Sequence, residues 1–294
     1  MKIVRDIDES ELALEAQEKG TVITIGAFDG VHLGHRAVLR LVRELADARG
    51  LRAALATFDR HPAEVVRPDS APKLLTTLDH RLELLDATGL LDLCLVLTFD
   101  EARSHESAED FVHEVLAGLL HARLVVVGAD FHFGHRRGGN VALLEQMGAD
   151  LGFEVLGLGL VASRPASVPF SSTHVRELLA AGDVEGAAEV LGRPHELRGT
   201  LAEGGELLVD ELLVDELLVD NRMCLPAAGS YTGTLTDSDG SARPAVIAVG
   251  TESAGADVRV VTAPGGPADG PCGSIVFRAP VSVAGHDASR QQRN

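Results

Sequence analysis

Two histidines three residues apart, His32 and His35, stand at the head of a helical repeat within residues 21–40, TVITIGAFDGVHLGHRAVLR. Side chains at that spacing share one helix face, and at a helix N-terminus they adjoin backbone N–H groups that have no partner within the helix. Anions bind at such ends through the open donors and the helix dipole, and Gly34 between the histidines would let a phosphate come close. The chemistry in view is the holding of a nucleotide phosphate. A His-x-x-His pair alone says little; the elements around this one say more. Val22, Ile23 and Ile25 form a β-branched apolar run that stops at Gly26 and Gly30, and Ala37, Val38, Leu41, Val42 and Leu45 then recur at helical spacing. The pair therefore sits where a strand turns into a helix.

The same strand-then-turn pattern recurs. Residues 51–58 (LRAALATF) end at Asp59, Arg60, His61 and Pro62, and Pro62 biases His61 toward an extended backbone. Residues 73–90 read as a helix with Leu78, Leu82 and Leu85 inward, 91–99 as a strand, 107–120 as a helix and 123–127 as a strand. The last runs into VGADFHFGHRRGG at 127–139, dense in polar, aromatic and glycine residues. A helix over 141–151 and a strand over 153–160 lead to PFSSTHVRE at 169–177, where Ser or Thr can cap a helix reaching residue 181, and a final helix spans 183–191. This alternation predicts a doubly wound α/β domain with a parallel sheet and right-handed crossovers, its ligands at the carboxyl ends of the strands. Residues 1–20 read as an acidic surface lead-in carrying Leu12, Leu14 and Ala16, with no chemistry of its own.

A chain of 294 residues has room for two ordinary domains. Its formal charge of −18 argues against a general nucleic-acid binder, so any phosphate site is local. No apolar run has the length of a signal peptide or membrane span, and the expected location is cytoplasmic. Cys94, Cys224 and Cys272 lie far apart without Cys-x-x-Cys spacing, which leaves them as buried thiols. Trp is absent and aromatics are scarce, so the phenylalanines gain weight as stacking partners for a ligand ring.

Gly26-x-Phe28-Asp29-Gly30-x-His32-x-Gly34-His35 resembles the signature of the HxGH nucleotidyltransferase superfamily, and in its full form that of the adenylyltransferase module of bacterial bifunctional riboflavin kinase/FAD synthetases. Three further segments are similar to family motifs in family order: 57–62, 127–139 and 169–177. The resemblance implies an FAD synthetase that transfers the adenylyl group of Mg-ATP to FMN and releases pyrophosphate. His32, His35 and Arg176 would act on the phosphates. Gly26, Phe28, Asp29, Gly34, Ser171, Ser172 and Thr173 would line the nucleotide side, and Phe58, Pro62, Asp130, Phe131 and Phe133 the flavin side. Asp29 would organise either Mg²⁺ or the turn, and the metal ligands stay undetermined. Departures from the family pattern fall at Arg60, His132 and His174, which keeps another nucleotide such as CTP, another acceptor, or a flavin-binding regulator without turnover as alternatives.

The domain boundary is expected after residue 192, with a smaller β-rich, barrel-like domain over 193–294. Residues 192–199 resemble the family linker into its kinase domain, but the Gly-Phe-Pro-Thr-Ala-Asn phosphate loop is replaced by ELLVDELLVDELLVD at 206–220. The kinase domain therefore reads as degenerate. A period of five fits neither a helix nor a strand face, and the tract is expected as an expanded repeat in an extended strand or acidic loop.

Overall fold

The computed structural model describes residues 1–5, 19–159, 170–201, 207–209, 212–237, 240–250, 258–262 and 273–281. The chain divides into two compact units, residues 1–175 with 190–192 and residues 176–189 with 193–294.

The first unit is built on six parallel strands: β1 Lys2–Arg5, β2 Thr21–Ile25, β3 Arg52–Phe58, β4 Leu93–Leu97, β5 Ala122–Gly128 and β8 Glu154–Leu158. Their order is β1-β4-β3-β2-β5-β8. From β2 the chain winds outward through β3 and β4, then crosses to the other side of β2 for β5, so the winding direction reverses between β2 and β5. Ligands of open parallel sheets bind at such a reversal, beyond the carboxyl ends of the strands.

Strands covered on both faces read as continuous apolar runs, and alternate residues feed two cores. Ile23, Leu95 and Val125 pack on one face with Val112, Val115 and Leu116. Val22, Cys94 and Leu124 pack on the other with Leu39, Val42, Leu82 and Leu85. The covering helices are α1 Leu33–Arg49, α2 Leu78–Asp86, α3 Ala108–Phe111 continued as a π-helix over Val112–Leu119, and α4 Val141–Leu151. A small hairpin, β6 His132–Phe133 with β7 Gly139–Asn140, follows β5.

Two expectations are corrected here. The lead-in contains β1, which pairs in parallel with β4; four residues with one buried apolar side chain, Val4, leave too little pattern to be read. Leu12, Leu14 and Ala16 lie outside the described residues. The helix expected over 73–90 is shorter, capped at Thr77, whose side chain accepts from the His80 N–H, because the backbone just before it is engaged elsewhere.

Helices α5 Ser172–Ala180 and α6 Val184–Leu191 follow. Residues 176–189, expected in the first domain, group with the second unit. That unit is antiparallel: β9 Glu196–Leu201, β10 Leu207–Val209, β11 Leu212–Val219, β12 Gly229–Thr236, β13 Ala242–Val249, β14 Val258–Thr262 and β15 Gly273–Pro280. Because β9 pairs with both β15 and β11, six strands close into a ring and β10 hangs from β11 as a hairpin. Leu217, Leu235, Ile247, Ile275 and Phe277 are buried in this unit. Cys94 and Cys224 are buried and form no disulfide, and Cys272 lies outside the described residues. Among the described residues no helix is long and apolar enough to cross a membrane.

Candidate functional site

The turn after β2 is held from inside. Gly26 N donates to Ala56 O at 3.1 Å, and Val31 N closes back onto Phe28 O at 3.1 Å. Phe28 and Val31 take positive φ of 50° and 41°, a conformation that costs side-chain-bearing residues energy and needs outside support. Asp29 supplies it. Its buried carboxylate accepts from Leu75 N, Thr76 N and Thr76 Oγ1 at 3.0–3.1 Å, and Gly30 N donates to Thr76 Oγ1 at 3.2 Å. A side chain at Gly30, where φ is +81°, would sit 2.8 Å from Leu75 Cδ1. Of the two roles open to Asp29, organiser of the turn is therefore the one its geometry serves. Ser172 Oγ adds a tie to Asp29 O at 2.8 Å.

His32 is the N-cap of α1, and its Nδ1 accepts from His35 N at 3.2 Å. The side chain is buried, so the pair is not the open entrance that spacing alone implies. The His32 and His35 rings stack 3.6 Å apart at 19°, and Phe28 stacks on His35 at 4.5 Å. Gly34 also differs from expectation: a Cβ there would lie 2.9 Å from Phe170 O and 3.1 Å from the His32 ring, so its bareness serves this packing. The Nδ1 of His35 is buried with no hydrogen-bond partner, which is costly unless a ligand satisfies it. Burial holds the His35 pKa well below its ordinary 6.5, helped by the electrostatic influence of His32 and of the Arg81 guanidinium. The free site therefore carries a neutral His35.

On the other side of Ile25 lies a cavity of about 600 Å³ whose wall includes Phe58, Pro62, Phe99, Phe111, Phe131 and Phe133. Phe131 and Phe133 stack at 5.5 Å, and Phe58 meets Phe99 edge-on at 5.3 Å. His132, His135, Arg136 and Arg137 form a basic lip. The lip is fastened to the segment before α3: His135 N donates to Glu106 O at 2.8 Å, and His135 Nδ1 lies 3.0 Å from Ser104 O. Thus four of the five expected flavin-side residues converge. The fifth, Asp130, is exposed and outside the cavity wall. His132 Nδ1 approaches Asp130 O at 2.7 Å, and Arg60 turns aside to pair with Asp59 at 3.0 Å.

The remaining expected residues sit around α5. Ser171 Oγ caps the helix, accepting from His174 N at 3.1 Å, and Thr173 is exposed. Arg176 lies one turn further along α5, within the second unit. Among the described residues no group of three His, Cys, Asp or Glu side chains could hold a metal, and the Asp29 carboxylate is already engaged by three donors.

Three contributors were not legible as site residues: Thr76, Phe99 and Arg81. Arg81 had a signal, because it falls on the inward Leu78, Leu82 and Leu85 face of its helix, where a cation needs a reason to be. It is buried, and its guanidinium donates to Ala27 O at 2.9 Å and to Phe58 O.

A family model described as FAD synthetase matches residues 14–174. The bifunctional riboflavin kinase/FMN adenylyltransferase of Escherichia coli (strain K12) is 32% identical over 259 residues, covering 88% of this chain and 81% of that protein. The protein so named from Pseudomonas fluorescens is 34% identical over 250 residues, covering 85% and 78%. One from Buchnera aphidicola subsp. Schizaphis graminum is 30% identical over 207 residues, and there the match spans 64% of the relative's length. A crystal structure described as a macrolide-efflux protein from Streptococcus pneumoniae superposes with a TM-score of 0.79 over 96% of this chain and 91% of that one, at 20% identity, a likeness of fold. With its phosphate-sized turn, stacked histidines and family match over more than half its length, this chain belongs to the FAD synthetase family and is a nucleotidyltransferase.

Proposed function

We propose that the chain transfers the adenylyl group of ATP to FMN, forming FAD and pyrophosphate. The observation that carries this reading is the unsatisfied buried Nδ1 of His35 at a helix N-terminus, one strand end away from an aromatic-lined cavity. The cavity has the volume of a small-molecule site and the ring faces an isoalloxazine needs. Ile25 borders both halves: it lines the cavity, and Gly26 after it opens the phosphate turn.

In this mechanism an FMN phosphate oxygen attacks the α-phosphorus of Mg-ATP in line, the new P–O bond forming as the bond to pyrophosphate breaks. No covalent intermediate on the protein is needed, and catalysis rests on positioning and charge stabilisation. Neutral His35 meets the incoming triphosphate, and the negative charge raises its affinity for a proton, so ATP binding favours the imidazolium. The imidazolium then donates to the phosphate oxygens. Ser171, Thr173 and Arg176 are assigned to the β and γ phosphates, and Arg suits several oxygens at once. Ser172 is the weaker candidate, since its hydroxyl holds the turn.

The same chain is proposed to lack riboflavin kinase activity and to act in the cytoplasm. A kinase cradles phosphates with backbone N–H groups on a glycine-rich loop, whereas residues 207–209 and 212–219 pair as antiparallel strands of Leu, Val, Asp and Glu. One assay tests both points. Purified protein with ATP and FMN should release pyrophosphate and form FAD; with ATP and riboflavin it should form no FMN. CTP in place of ATP is the control arm, and faster turnover with CTP or with riboflavin would sink the assignment.

A further inference from the structure

Arg81 reaches the site from behind. Its helix, α2, packs on the sheet face opposite α3, and the guanidinium spans from Ala27 O in the turn after β2 to Phe58 O at the end of β3. Those two carbonyls belong to different halves of the site. Ala27 lies inside the turn that carries Phe28, His32 and His35, and Phe58 lines the aromatic cavity. Thr57 Oγ1 reinforces the joint with a bond to the same Ala27 O at 3.3 Å.

A guanidinium presents its donors in a rigid fork, so two carbonyls bound to the two ends are held at one separation; an ammonium is a single point and cannot do this. The charge is also unusual. Arg81 is only 3% exposed, and its hydrogen bonds go to two neutral carbonyls rather than to a carboxylate. A buried cation is expensive and is seldom kept for packing alone. Asp29, the first of the carboxylates that act on it electrostatically, already accepts from Leu75 and Thr76.

We propose that Arg81 is a positioning residue for adenylyl transfer: its fork fixes the nucleotide turn against the flavin-side strand end, so that acceptor phosphate and α-phosphorus meet at a set distance over a fixed buried positive charge. The proposal rests on the adenylyl-transfer reading above. Arg81 touches neither substrate, and its effect runs through Ala27 and Phe58. The lowered pKa of His35 agrees, since burial is joined there by the electrostatic influence of His32, stacked on it, and of Arg81 from α2.

The test uses the full chain as Arg81→Lys and Arg81→Met. Lysine keeps the charge and loses the fork, so kcat should fall roughly ten- to a hundredfold, as expected for a small misplacement of reacting atoms, while both KM values stay within about threefold of wild type. Methionine removes the charge too. Its KM for ATP should rise as well, and the alkaline limb of its pH–rate profile, where the imidazolium loses its proton, should move up, because the cation that discouraged protonation of His35 is gone. A Lys variant with kcat within about threefold of wild type overturns the proposal, as does failure of both variants to fold, which would leave Arg81 a stability residue. A wild-type chain that releases no pyrophosphate from ATP and FMN condemns the functional reading instead. In that case hydrogen exchange in the Lys variant still decides the tie: faster exchange at both 26–31 and 58–62 supports it, and a change at one or neither overturns it.

Discussion

The two loops that flank the winding reversal, 26–35 after β2 and 128–139 after β5, are built on opposite plans. In the first, the polar side chains turn inward. Asp29 and His32 are buried and spend their acceptors on backbone N–H groups, so the loop's shape is fixed from within. In the second, the chain is fastened mainly through backbone carbonyls, Ala129 N to Leu158 O at its start and His135 to the Glu106 and Ser104 carbonyls further on, and Asp130, His132, Arg136 and Arg137 stay exposed. A loop that must present donors to a triphosphate gains from having no freedom left. A loop that walls an aromatic cavity can vary its lip without unmaking the wall, and His132 is placed where such variation is cheap.

The largest separation between the two should come from His35→Ala. It should lose about 10²- to 10³-fold in pyrophosphate release, the usual cost of removing one strong transition-state donor, with FMN binding by fluorescence unchanged. Equal loss of FMN binding would erase the distinction between the halves. His32 calls for Asn rather than Ala, because Asn still caps α1, whereas Ala would cost about 1 kcal/mol in helix stability beside any catalytic effect.

Next in size is Asp29→Asn, which puts an amide among donors that need an acceptor. Unfolding in urea should show a loss of about 3 kcal/mol, with hydrogen exchange rising first in 26–31 and 74–77. If 128–139 loosens equally, the two loops are one cooperative piece.

Gly134→Ala probes the fastening of the second loop. Gly134 has φ of +70°, and an added Cβ would lie 2.6 Å from Ala108 N, so about 1–3 kcal/mol of stability should go, read as a lower melting temperature. FMN affinity should weaken while ATP affinity holds. Arg136→Gly should act in the opposite sense, gaining up to about 1 kcal/mol by relieving a φ of +52°.

A further effect, spread over a range of conditions, is in pH. With the folded pKa of His35 depressed, folded and unfolded chains carry the same charge there above 6.5; below that the unfolded chain takes up a proton first, and stability falls until the folded pKa is passed. The slope attributable to His35 is at most about 1.4 kcal/mol per pH unit, and His35→Gln should remove it from the pH dependence of urea midpoints.

How much of this was legible follows from where each element gets its stability. Val22 to Ile25 and residues 52–58 are buried on both sheet faces, so burial wrote a continuous apolar run into the sequence. β1 is a four-residue edge strand whose Ile3 is 40% exposed, and a period of two cannot announce itself in that space. At the site, glycines and histidines were visible because chemistry constrains their type. Thr76 and Leu75 were invisible because Asp29 uses mainly their backbone N–H groups, which any residue but proline supplies. The burial of His32 was missed for a related reason: spacing tells which face a residue is on, not what covers that face.

The pentad tract carries a consequence of its own. Strand β11 reads LLVDELLV, the second copy and the start of the third, and it pairs with β14 through Leu213–Leu217 and with β9 through Leu217–Val219, while the first copy supplies only the appended β10. Residues 207–214 spell the same eight letters as 212–219. Copies are therefore interchangeable: were one unit gained or dropped, the ring would receive the same residues in the same order, and only the dangling hairpin would lengthen or vanish. Length in this tract is decoupled from the architecture it threads, so copy-number drift in the underlying gene can pass unseen by the fold.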